Sequence, residues 1–263
     1  MYNFEFAKPT TIADAVAALG QDEAQALGGG QTLLPTMKQR LASPATLVSL
    51  TAIPEMVGVC VNDAGEVCIG GATTHAMVAR EAQAHYPALA ALASHIGDPA
   101  VRNRGTIGGS LANNDPSACY PAAALGSRAT IRTNRRDIAA DDYFLGMFET
   151  ALEEGEIITE VRFAVPEAAN YQKFVQPASR FALVGVFVAK FADGVRVAVT
   201  GAASEGVFRW AEAEAALNAE FSKAAVEGLA VPTGTMISDL HGTGDYRAHL
   251  IKVMTGRAVA AAG

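Results

Sequence analysis

The chain has 263 residues, half of them apolar, with 20 basic against 27 acidic side chains and a formal net charge of −7. That is ample for a buried core in one large or two modest domains, and an acidic balance with no basic stripe disfavours nucleic-acid binding. No apolar run reaches membrane-spanning length, and the opening MYNFEFAKPTT lacks the basic and apolar regions of a signal peptide, so a cytoplasmic protein is expected.

Residues 3–7 read as extended, and Pro9-Thr10-Thr11 then open an amphipathic helix behind a hydroxyl cap, with Ile12, Val16 and Leu19 on one stripe, ended by Gly20. Residues 24–27 form a short strand that runs into Gly28-Gly29-Gly30-Gln31-Thr32. Residues 33–40 read as a helix or an irregular turn, with Pro35 suited to a first turn. A strand follows at 46–50, then a hairpin of 57–61 with 66–70 around Asp63-Ala64-Gly65, then helices over 74–82 and 86–94. The segment from Ile96 to Gly105 reads as a polar loop in which Arg102 and Arg104, alternating in extended chain, point opposite ways. It leads into Thr106-Ile107-Gly108-Gly109-Ser110, and Asn113 to Pro116 mark a further turn. Residues 132–136 read as a solvated hairpin.

A boundary falls at residues 166–170, giving expected units of 1–166 and 170–263. Beyond it, 181–191 and 195–200 form a hairpin around Ala192-Asp193-Gly194. Helices follow at 209–217, 222–229 and 246–261, the last with Leu250, Val253 and Met254 on its apolar face. Short strands and helices in this order indicate a mixed, α+β architecture.

The chemistry-bearing residues are few. Cys60, Cys68 and Cys119 form no C-x-x-C pair, so zinc and iron–sulfur ligation are not expected, and Cys60 and Cys68 on paired strands read as reduced thiols. The five histidines form no H-E-x-x-H, and there is no G-x-S-x-G elbow. What stands out is the pair of glycine runs, 28–32 and 106–110, each closed by a hydroxyl residue, Thr32 or Ser110. Neither has a P-loop lysine or Rossmann spacing. Glycine lets main chain approach a ligand closely, and successive N–H groups form a nest for an anion. Two such runs favour a dinucleotide held mainly by backbone donors from two loops.

At GGGQTLLP (28–35), IGDPAVRNRGTIGGSLANNDP (96–116) and DLHGTGDYRAHLIKVMTGRA (239–258) the sequence resembles the flavin-binding medium subunit of molybdenum hydroxylases, the family of aerobic carbon monoxide dehydrogenase and xanthine dehydrogenase. The resemblance runs from about Phe4 to the last helix. It implies a two-part FAD-binding domain of the vanillyl-alcohol-oxidase (PCMH) type, followed by a small α+β domain with a three-stranded sheet and helices. It implies that Gly28, Gly29, Gly30, Gln31 and Thr32, with Thr106, Ile107, Gly108, Gly109 and Ser110, hold the FAD pyrophosphate and ribityl chain. Ile96 then packs near the isoalloxazine, Asp115 bonds the sugar or chain, Ile158 lies near the adenine end, and Lys173 approaches from the second domain. Relatives often carry an acidic residue where Cys119 stands and another soon after Arg180, where Phe181-Ala182 follow here, and Gly28 replaces a common alanine.

The family further implies a division of labour. A large subunit holds molybdopterin, a small one holds [2Fe–2S] clusters, and the present chain passes electrons through FAD to an external acceptor, in a dimer of heterotrimers. No catalytic acid or base and no metal ligand is then expected in this chain. A standalone FAD-dependent oxidase or reductase is the alternative.

Overall fold

The computed structural model describes residues 1–231 and 233–262. Thr11 caps the first helix, Ile12–Leu19, by accepting from the Asp14 N–H at 3.1 Å. That helix returns the chain so that Ala24–Leu27 lies parallel to Thr46–Ser49, which is parallel in turn to Glu5–Ala7. The result is a three-stranded sheet with Thr46–Ser49 in the middle. Parallel neighbours need such crossover connections. Ala15, Val48, Ile53 and Met56 form its core.

A second, antiparallel sheet has the order Val59–Val61, Val67–Gly70, Ile158–Phe163, Thr130–Thr133, Asp137–Ala139. One face carries Val67, Ile69, Ile131, Val161 and Phe163 into the largest core, against helices His75–Glu81, Pro87–Ser94 and Ile107–Asn113. The opposite face is charged, with Arg162 bonded to Glu160 at 2.7 Å and Arg132 to Asp137 at 3.1 Å. One apolar and one solvated face is the usual economy of an antiparallel sheet. The expected hairpin at 132–136 is the turn between Thr130–Thr133 and Asp137–Ala139.

The third sheet has three long antiparallel strands, Ala168–Val175, Ala182–Phe191 and Gly194–Thr200, plus the two-residue strand Phe208–Arg209. Its central strand is buried on both sides, which explains its unbroken apolar run. Val184, Val186 and Val188 face Trp210 and the terminal helix Gly244–Ala262. Phe187 and Ala189 share the core of the second sheet. The helix Tyr120–Gly126 separates the two sheets and is buried at every residue, so it shows no amphipathic period. A small two-stranded hairpin, Phe144–Gly146 with Glu149–Thr150, projects beside this assembly.

Candidate functional site

The ends of all three sheets meet around a cavity of about 840 Å³, near the upper end of clefts that take small ligands. The strand Ala24–Leu27 delivers the first glycine run to its wall. Among the described residues, the main-chain N–H groups from Gly28 to Leu33 donate to no protein acceptor. Gly30 sits at φ +72°, which turns the chain, and Gln31 Nε2 donates to the Gly29 carbonyl at 3.2 Å. Unpaired donors lining a cavity await an anion or water.

The second run is not a loop, as the sequence suggested, but the opening of the helix Ile107–Asn113. Thr106 caps it, accepting from the Gly109 N–H at 3.2 Å. The Ile107 N–H donates to the Thr73 carbonyl at 3.1 Å and the Gly108 N–H to Gly71 at 2.9 Å. These amides are therefore engaged within the protein, and the nest lies chiefly in the first run. The second run contributes proximity. A Cβ on Gly28 would meet Thr106 Oγ1 at 2.7 Å and the Gly109 Cα at 3.7 Å, and one on Gly29 would overlap the Arg104 carbonyl. The two runs thus abut, and at Gly29, where the neighbour is main chain, glycine is required for the approach.

Of the remaining expected residues, Thr106, Gly108, Gly109, Ser110, Ile96, Asp115, Ile158 and Lys173 all border the cavity. Ile107 does not: its side chain is fully buried in the main core. Asp115 is held by an Asx turn, accepting from the Ser117 N–H at 2.8 Å. Lys173 lies on the first strand of the third sheet and donates to the His95 carbonyl at 3.0 Å, so it bridges the third sheet to the helical layer as well as facing the cavity. Cys119 is buried at the wall. Arg102 and Arg104 do not alternate in extended chain, because Asp98 caps a helical turn, Pro99–Arg102. Arg102 Nη1 donates instead to the Ile96 and Gly97 carbonyls, both at 3.1 Å, and fixes the turn that presents Ile96.

Three further features line the cavity. The turn Ala178–Phe181 between the first two strands of the third sheet roofs part of the cavity, with Arg180 at φ +62°. Glu156 lines the far end, its side chain buried and bonded by Thr133 Oγ1 at 2.6 Å, the Glu153 N–H at 2.8 Å and Arg136 at 3.1 Å. Burial alone would push its carboxyl up, but the Arg136 and Thr133 hydrogen bonds outweigh that and hold it at about 2. His75 is 4 % exposed and also lines the cavity, where burial, then the Arg102 charge, lower its imidazole to about 4. The Thr cap before a histidine at 74–75 was the signal available for it.

The donor set fits a dinucleotide. Free backbone amides face the cavity beside a glycine crossing that any side chain would block, and Asp115, Thr32 and Ser110 supply polar groups nearby. No group of His, Cys, Asp and Glu suited to a metal ion occurs among the described residues, and no described helix is long and apolar enough to cross a membrane.

Residues 2–167 match the family described as the FAD binding domain in molybdopterin dehydrogenase. The chain is 34% identical to the carbon monoxide dehydrogenase medium chain of Hydrogenophaga pseudoflava, across 98% of this chain and 96% of that one. It is equally 34% identical to the nicotine 6-hydroxylase medium subunit of Paenarthrobacter nicotinovorans, with the same coverage of 98% and 96%. The solved structure of reconstituted CO dehydrogenase from Oligotropha carboxidovorans superposes with a TM-score of 0.90 at 32% identity, over 99% of this chain and 98% of that chain.

Proposed function

Because this chain belongs to the FAD-binding family of molybdopterin dehydrogenases, we propose that it is the electron-transfer subunit of a heterotrimeric molybdenum hydroxylase. It is an oxidoreductase subunit whose own cofactor is FAD. In this reading a small partner holds the [2Fe–2S] clusters, a large partner holds molybdopterin, and electrons leave this chain for an external acceptor. FAD, when bound, supplies the exchange between one-electron and two-electron transfer.

The observation that carries the reading is the run of unpaired amides from Gly28 to Leu33 beside the Gly29–Arg104 crossing. These residues would hold the pyrophosphate, with Thr32 and Ser110 hydroxyls in support. Charge-assisted bonds of this kind contribute roughly 1.5–3 kcal/mol each, and few lining cations compete for the role. Ile96, steadied by Arg102, would bound the ring end, Ile158 the adenine end, and Asp115 and Lys173 the space between.

The test is purification from the native host. The expected result is a yellow complex with one large and one small partner, of the mass of a dimer of heterotrimers. A yellow chain that oxidises an organic substrate alone would instead establish a standalone oxidase or reductase. A colourless chain that ignores added FAD would overturn both.

A further inference from the structure

We infer that His75 is a cofactor-contact residue, its imidazole offering a hydrogen bond to a polar group of the dinucleotide between the pyrophosphate run and the Ile96 turn. The inference deepens the FAD reading and rests on it.

His75 opens the helix His75–Glu81 directly after its Thr74 cap, and its own N–H donates to the Gly105 carbonyl at 3.0 Å. The ring is thereby set against Gly105, in the segment leading into the second glycine run. The fit is close. A Cβ on Gly105 would come within 2.6 Å of His75 Nε2, so glycine at 105 makes room for an imidazole. The other side rests on the Tyr120 ring, centroids 5.3 Å apart at 50°.

The ring lines the cavity, yet among the described residues neither ring nitrogen has a hydrogen-bond partner; Nδ1 is sealed in the protein, which leaves Nε2 as the atom that meets a ligand. Buried polar atoms in folded proteins are overwhelmingly paired, and one that is not calls for a functional explanation. An apolar side chain of the same size would fill this space without the desolvation cost. A role as core filler therefore does not explain a histidine here, whereas a polar ligand in the cavity does. The surroundings keep the ring neutral, with burial and the Arg102 charge both opposing protonation. A neutral imidazole carries one donor and one acceptor, so it can serve a hydroxyl or a carbonyl of the ligand.

The two roles predict opposite signs, which makes them separable. His75→Leu removes an unpartnered polar atom. The flavin-free variant is expected to unfold at the same or a higher temperature than flavin-free wild type. Its dissociation constant for FAD is expected to rise about tenfold or more, the loss of one good hydrogen bond, while His75→Gln keeps affinity closer to wild type and shifts the flavin absorbance bands. If the Leu variant does not fold, His75→Met, whose flexible chain adapts to irregular space, serves for the same titration. A folded Leu or Met variant that binds FAD within about twofold of wild type would overturn the inference. Wild-type protein that takes up no FAD, alone or with its partners, would overturn the cofactor reading itself.

Discussion

The carbonyl oxygen of Arg104 occupies the place that a side chain on Gly29 would need. The contact is between two backbones, so neither side can yield by turning a rotamer. Gly29 is thus fixed by geometry before any ligand is considered, and the same crossing sets the first glycine run against the second.

Substitution there separates the two runs. Gly29→Ala is expected to abolish flavin retention and to destabilise the chain by about 2–5 kcal/mol, in the range of other changes that force atoms into filled space. Gly109→Ala meets only Thr106 Oγ1, at 2.9 Å, the oxygen that caps its own helix. It is expected to fold and to lose affinity more modestly. Flavin-to-protein ratios after gel filtration, with melting temperatures, check both. Equal flavin retention in the two variants would contradict the assignment of the nest to the first run.

Arg102 supports the cavity from behind. Its Nη1 bonds to the carbonyls of Ile96 and Gly97, in a turn where Gly97 sits at φ +50°. Arg102→Met removes both bonds, and a loss of about 1–3 kcal/mol is expected, seen chiefly as weaker flavin binding. Arg102→Met should also raise the His75 pKa, since a neighbouring positive charge is gone. Histidine titration followed by NMR measures that shift directly.

Asn114 closes the helix of the second run at φ 41°, a left-handed position that asparagine tolerates. Its Nδ2 donates to the Gly146 carbonyl at 2.8 Å and the Glu149 carbonyl at 2.9 Å, pinning the small hairpin. Asn114→Ala is expected to cost about 2–4 kcal/mol from lost bonds plus backbone strain. Asn114→Gly relieves the strain and should cost less. Denaturant midpoints of the two variants divide the loss between its causes.

Acid should act on stability in two stages. The folded state holds His75 at about 4 against an ordinary 6.5, so the unfolded chain binds a proton first. Stability is then full above about 6.5 and falls as pH drops to about 4, by on the order of 3 kcal/mol for this group. Glu156 is held at about 2 against 4.5, so its contribution is present above 4.5 and is lost between 4.5 and about 2. Denaturation midpoints against pH should show His75→Leu flattening the first stage and Glu156→Gln the second. An unchanged pH profile in both would rule out these groups as the source.

Much of this was legible. The capped helix Ile12–Leu19, the strand before the first glycine run and the hairpins announce themselves by periodicity and turn residues. The helix Tyr120–Gly126 did not, because a helix buried all round has no polar face to set a period. The second glycine run read as a loop because two glycines disfavour a helix; the Thr106 cap and carbonyls offered by Gly71 and Thr73 override that preference. His75 was passed over since it pairs with no other histidine in sequence, and its meaning lies in neighbours, Gly105 and Tyr120, brought to it only by folding.

The turn Ala178–Phe181 and Lys173 come from the third sheet, outside the 2–167 segment that carries both glycine runs. A fragment ending at the segment's edge would keep every backbone donor but stand as an open trough, exposed to water along one flank. It would also bare Phe187 and Ala189's partners in the shared core. Grip and shelter are thus encoded in different stretches of the polypeptide, and neither is a self-sufficient module.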